Sequence, residues 1–176
     1  MNDALFVADS VGVTFGRKEV LKAAIFWLRP GKVTVLLGRN GSGKTTLIEK
    51  LIPELKRRGY RIGVIKHAFH EFQFDKPGKD SWRHKQAGAQ TAFISTPGAL
   101  GMVHSVDSDM TPIEIRDRFL DDADLLLAEG FKLLNVPKIE VFRSCAHAAP
   151  VSAGDENLLA IASDKELDIG APCCGL

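Results

Sequence analysis

The run Gly38-Arg39-Asn40-Gly41-Ser42-Gly43-Lys44-Thr45 constrains this chain more than any other stretch. It completes the G-x-x-x-x-G-K-[ST] spacing, and its flanks are those a phosphate-binding loop requires. The preceding Lys32-Val33-Thr34-Val35-Leu36-Leu37 is rich in β-branched residues and leucine and reads as a buried strand. Leu47, Ile48, Leu51, Ile52 and Leu55 then fall on one face at helical spacing. A strand therefore feeds a glycine turn that opens a helix. Gly38, Gly41 and Gly43 let backbone N–H groups wrap a polyphosphate without Cβ clashes. The helix N-terminus adds unsatisfied donors and a positive dipole end. Asn40, Ser42 and Thr46 belong to the same cradle, Lys44 reaches for the β- and γ-phosphates, and the Thr45 hydroxyl is the expected Mg2+ ligand. The pattern implies a bound nucleoside triphosphate.

Composition narrows the class. At 176 residues and 45% hydrophobic content the chain is long enough to bury a real core, and a net charge of +1 offers no long-range attraction for nucleic acid or anionic membranes. The basic run Lys56-Arg57-Arg58 sits where a helix C-terminus favours cations. No apolar stretch approaches the roughly 20 residues that span a bilayer, and Met1-Asn2-Asp3 lacks a secretory start. Cys145, Cys173 and Cys174 form neither an even disulfide set nor a Cys-x-x-Cys pair. The expectation is a cytoplasmic protein with no nucleic-acid or membrane partner.

Along the chain, residues 1–31 read as a short β-rich antiparallel extension and residues 32–176 as the phosphate-loop domain. Leu5-Phe6-Val7, Val11 to Phe15 and Glu19 to Leu28 are strand candidates in the extension. Gly59 suits a left-handed helix cap, and Pro53 inside that helix predicts a kink. Tyr60 to Ile65, Asp124 to Ala128, Lys138 to Phe142 and Leu158 to Ala162 read as buried strands. A short helix begins at Asp80 or Ser81 and closes at Gly88, with one of those two side chains as its cap. Thr91 to Ser95 and Ala99 to Val103 form a hairpin around Pro97-Gly98. Thr111-Pro112-Ile113-Glu114 starts a helix with a capping box. Apolar strands alternating with helices predict an α/β phosphate-loop fold of three layers, α/β/α, around a mostly parallel sheet. Ligands of such sheets bind at the carboxyl ends of the strands.

Glu129 follows Leu125-Leu126-Leu127, where an acidic residue holds magnesium directly or through water. Asp124 begins the same strand and reads as structural. The loop Asp75-Lys76-Pro77-Gly78-Lys79-Asp80-Ser81 offers lysines for phosphate and aspartates for a metal or a water, or else is an exposed charged turn. Asp75 and Asp80 are the candidates for ordering an attacking water, and Lys79 for a phosphate contact. Asp164, after a late strand, is the candidate acceptor for a guanine edge, since no Asn-Lys-x-Asp motif occurs. His67 and His70 lack a third ligand at metal spacing. No water-orienting glutamine or arginine finger is visible, so turnover is expected to be slow.

From Thr45 to Arg143 the chain resembles the molybdopterin-guanine dinucleotide biosynthesis adapter protein B (MobB) family. The resemblance lies in Gly63-Val64-Ile65-Lys66-His67, the Asp75 to Ser81 loop, Arg83-His84, Ala87-Gly88-Ala89, Asp124 to Lys132 and Pro137 to Val141. It implies a GTP-binding homodimer with slow GTP hydrolysis that assists the guanylyltransferase joining GMP to molybdopterin, with molybdopterin-carrying proteins as further partners. Lys44, Thr45, Glu129 and the Asp75 to Asp80 loop match that family's nucleotide region. By Val13-Thr14-Phe15-Gly16, Val20-Leu21, Leu28-Arg29-Pro30-Gly31 and the run from Gly38 to Leu47, residues 1–43 are instead similar to the start of an ABC-transporter ATPase, in which an aromatic near Phe15 would stack on the base. The chain stops at Ala171 to Leu176, before that adapter family's last helix, which would leave an edge or face uncovered or completed by a partner.

Two other functions compete. An ABC-type ATPase needs a Leu-Ser-Gly-Gly-Gln-like signature, which is missing from the sequence, and an Asp-Glu pair where only Glu129 stands. A small-molecule kinase would bring lid arginines to the γ-phosphate, and Arg83 alone is a candidate.

Overall fold

The computed structural model describes residues 6–15, 18–28, 33–68 and 76–175. The chain divides into two compact units, one formed up to His67 and again from Thr111, the other by Ala68–Met110.

The larger unit is built on strands β1 (Phe6–Phe15), β2 (Lys18–Leu28), β3 (Val33–Leu37), β4 (Ile62–Lys66), β7 (Leu125–Glu129), β8 (Lys138–Phe142), β9 (Leu158–Ser163) and β10 (Cys173–Gly175), with helices α1 (Lys44–Arg57) and α3 (Pro112–Phe119). The sheet order is β1-β2-β10-β9-β8-β3-β7-β4. Every neighbouring pair from β10 to β4 is parallel, and β1 and β2 are antiparallel additions beyond β10. The expected α/β architecture is therefore present.

Alternation along β7 shows how the layers are held. Leu125 and Leu127 join Leu36 and the α1 residues Leu47, Ile48, Leu51 and Leu55 on one face. Leu126 and Ala128 join Val33, Val35, Leu37 and Ile65 on the other, with Ile115, Leu120 and Ala123 packed against them. Both faces being covered explains a strand of five residues without apolar–polar alternation. At 14 residues α1 is about as short as an isolated helix can be and still persist, so its buried leucines, about 1.5–3 kcal/mol each, decide its stability.

The α1 C-terminus closes as the sequence predicts. Gly59 takes φ 91°, its N–H donates to Lys56 O at 2.9 Å and Tyr60 N–H to Leu55 O at 3.2 Å. Arg57 and Arg58 pair with Glu54 in the last turns. The helix runs continuously through Pro53.

Several sequence expectations change. Leu5 lies outside the described residues, while the two early strand candidates are one irregular strand, β1, paired with β2. β4 is an edge strand rather than a doubly buried one, and Val64 is 45% exposed on its open face. The β8-to-β9 connection contains no helix. Buried charges hold it instead: Glu140 accepts from Val151 N at 2.7 Å and Ser152 N at 2.8 Å, and Lys138 pairs with Asp155 at 2.5 Å. Cys173–Gly175 lies between β9 and β2, parallel to the first and antiparallel to the second.

The smaller unit holds α2 (Asp80–Gln86) and a hairpin of β5 (Thr91–Thr96) and β6 (Ala99–His104). Lys85 Nζ ties α2 to the hairpin start through Ala89 O at 2.7 Å and Gln90 O at 2.9 Å. The N-cap of α2 is Lys79, with no side-chain cap, in place of the expected Asp80 or Ser81. At α3 the predicted capping box is present, Thr111 Oγ1 accepting from Glu114 N at 3.2 Å and Glu114 from Thr111 N at 2.8 Å.

Candidate functional site: the phosphate loop and its strand ends

The loop between β3 and α1 owes its path to glycine. Gly38 has φ 140°, and a Cβ there would stand 2.5 Å from both Ser42 Oγ and Val141 O. Gly41 and Gly43 have φ 80° and 96°. Each lies in a region that side-chain-bearing residues enter at a cost of about 1–2 kcal/mol. Ser42 N–H donates to Arg39 O at 3.2 Å, and Ser42 is fully buried with its Oγ lacking a partner among the described residues. Lys44, the first residue of α1, donates from Nζ to Arg39 O at 2.9 Å, folding its ammonium back over the loop. Asn40 and Thr45 are exposed, and Thr46 is half-buried. This is a cradle of donors with one cation at its centre, open to an anionic ligand.

On one side stand the ends of β7 and β4. Glu129 is in register with Leu36 of β3 and with Lys66 of β4. Burial pushes the Lys44 ammonium below its ordinary range, the Glu129 charge opposes that, and Lys66 adds to it. The carboxylate thus lies within electrostatic reach of the loop lysine. Thr45 supplies a hydroxyl at the helix start, and a hydroxyl with a nearby carboxylate suits Mg2+ completed by phosphate oxygens and water. Among the described residues no group of three His, Cys, Asp or Glu could hold a metal alone. Behind Glu129 the chain turns sharply: Gly130 has φ 103° and Phe131 φ 50°. The Phe131 ring stacks on His67 at 4.5 Å between centroids, and His67 N–H donates to Glu129 O at 2.9 Å. His67 is therefore part of the packing behind the carboxylate, and His70 lies outside the described residues.

On the other side stand the ends of β8 and β9. Arg143 follows β8 directly, and a Cβ on Gly43 would meet its Nη2 at 3.2 Å. Asp164 follows β9. Its carboxylate accepts from Ser144 N at 2.8 Å and Ser144 Oγ at 3.1 Å, and the backbone N–H of Ser144 holds its pKa below the ordinary value. His147 Nε2 lies 3.1 Å from Asn40 O and ties the same turn to the phosphate loop. Arg143, His147 and Lys66 were absent from the sequence-derived site. Lys66 ends β4, Arg143 directly follows β8 and His147 lies in the turn after it, and the rule that ligands meet the carboxyl ends of parallel strands was the available signal.

Lys79 and Asp80 belong to the smaller unit and are exposed, Asp80 carrying a 3.8 Å contact with Arg83. Asp75 lies outside the described residues. Asp124 pairs with Arg61 at 2.9 Å at the opposite end of β7, which fits its structural reading.

Residues 33–164 match the family described as Molybdopterin guanine dinucleotide synthesis protein B. Over 135 residues the chain is 40% identical to a molybdopterin-guanine dinucleotide biosynthesis adapter protein of Haemophilus influenzae, covering 76% of this chain and 75% of that one. The crystal structure of Bacillus subtilis MobB superimposes with a TM-score of 0.64 at 30% identity, covering 81% and 88% of the two chains. A separate likeness of 56 residues, 46% identical, links 32% of the chain to 22% of a Pseudomonas putida zinc import ATP-binding protein, in keeping with the ABC-like stretch.

Proposed function

Since the chain belongs to the molybdopterin guanine dinucleotide synthesis protein B family, we propose that it is a GTP-binding adapter in molybdenum cofactor biosynthesis, assisting the guanylyltransferase that joins GMP to molybdopterin. On this reading it works in the cytoplasm as a homodimer, with molybdopterin-carrying proteins as further partners. The observation that carries it is Lys44, folded over a glycine loop of positive φ and within electrostatic reach of Glu129.

The loop N–H groups and Lys44 would hold the β- and γ-phosphates, and Thr45 with Glu129 would hold Mg2+, which supplies neutralisation of the phosphate charge when bound. Asp164 would accept from the guanine edge with lone pairs left over from Ser144. Asp75 or Asp80 would order the attacking water, and Lys79 would add a phosphate contact. Turnover is slow on this reading, because the sequence shows no arginine finger for the γ-phosphate, and such an arginine supplies about 10³–10⁵ of GTPase rate elsewhere.

Calorimetric titration of the purified chain with GTP and with ATP, each with Mg2+, tests the core of this reading. Micromolar GTP binding that Lys44→Ala abolishes is expected. Absence of GTP binding, or tight ATP preference with ATP-driven dimerisation, would overturn it. Single-turnover hydrolysis by Asp75→Asn and Asp80→Asn tests the water-ordering roles, and unchanged rates in both would remove them.

A further inference from the structure

We propose that Arg143 is a phosphate ligand supplied from within the chain, its guanidinium donating to the α- and β-phosphates on the β8 side of the loop. The inference rests on the nucleotide-binding reading above and names a residue that reading does not use.

The backbone of Arg143 is held on both sides. Before it, β8 is fixed by Glu140, which accepts from Val151 and Ser152 N–H groups. After it, Ser144 is pinned by Asp164, and the N–H groups of Ala146 and His147 both donate to Arg143 O, at 3.1 and 3.0 Å. From that fixed point the side chain reaches the loop glycine that precedes Lys44. A Cβ on Gly43 would lie 3.2 Å from Nη2, 3.5 Å from Nε and 3.6 Å from Cζ. The guanidinium therefore lies along the position any larger residue at 43 would need.

Its hydrogen bonding argues for a ligand. Arg143 Nε is buried without a partner among the described residues. A guanidinium carries donors only, and a buried donor left unmatched is destabilising. The carboxylate at the neighbouring strand end, Asp164, is engaged by Ser144 rather than by the arginine. Around the same point stand the helix N-terminus, the loop N–H groups and the Lys44 ammonium, all donors or positive. Donors of one sign gathered on one spot are matched together only by an anion, and the anion such a loop cradles between its glycines is the α/β pair. A guanidinium forks onto two phosphate oxygens where a lysine offers a point charge.

The test compares the full-length wild type with Arg143→Gln and Arg143→Lys. GDP and GTP affinities are measured by titration, inorganic pyrophosphate is measured as a competitor of bound GDP, and thermal midpoints are recorded without ligand. Arg143→Gln is expected to weaken GDP, GTP and pyrophosphate alike, by about tenfold to a hundredfold, the range of one charge-assisted hydrogen bond. Arg143→Lys should recover part of that loss. Pyrophosphate competing equally well against wild type and Arg143→Gln would overturn the proposal, as would a loss on GTP with GDP unchanged. If Arg143→Gln does not fold, the Arg143→Lys comparison decides alone: undiminished pyrophosphate competition overturns the proposal. Wild type that binds neither nucleotide nor pyrophosphate would instead bring down the nucleotide-binding reading itself.

Discussion

The Asp164 carboxylate receives both the N–H and the hydroxyl of Ser144, at 2.8 and 3.1 Å, and so joins the end of β9 to the turn that follows β8. A residue read from sequence as a base acceptor is also the pin of the turn that carries Arg143 and His147.

Removing that pin should have two separable effects. Asp164→Ala is expected to lower stability by about 1 kcal/mol, the worth of an ordinary net hydrogen bond at an exposed site. It should also narrow the preference for GTP over ATP. Denaturant unfolding reads the first and parallel titrations with the two nucleotides read the second. Unchanged GTP preference would leave Asp164 a structural residue only.

Gly38→Ala should be among the most damaging single changes in the loop. Its φ of 140° and the 2.5 Å approach of Ser42 Oγ and Val141 O leave no room for a methyl group. Strain alone costs about 1–3 kcal/mol, so a clear fall in thermal midpoint and loss of GTP binding are expected. Gly41→Ala meets open space and should be milder, limited to its φ of 80°.

Glu129→Gln should make nucleotide affinity nearly independent of Mg2+ while sparing metal-free binding. The carboxylate stands in register with Leu36 near the end of β3 and acts on Lys44 electrostatically. Titrations with Mg2+ and with EDTA provide the comparison. An undiminished Mg2+ effect in the variant would exclude Glu129 as a metal residue.

Acid should weaken the fold through Asp124. The hydrogen bonds from Arg61 hold its pKa at about 2 against an ordinary 3.8. A depressed carboxylate stabilises the fold above its unfolded pKa and loses that contribution as pH falls through the folded one. The window therefore runs from 3.8 down to about 2. Asp124→Asn should show a shallower decline in thermal midpoint across that window than wild type, and parallel curves would contradict the assignment.

Much of this protein was local enough to be read from its chain. The glycine loop, the β3–α1 flanks, the Gly59 cap and the Thr111–Glu114 capping box each depend on residues within a few positions of one another, and backbone sterics and local hydrogen bonds decide such features. The Glu129 position was also legible, because a parallel strand ends where its apolar run ends. What the tertiary structure decided is long-range. Whether β4 lies inside the sheet or at its edge, and which buried charges replace a helix between β8 and β9, are settled by partners far away in sequence. Arg143 is the clearest case. The sequence marks it only as the residue after a strand, and the parallel pairing of β3 with β8 is what brings it against Gly43.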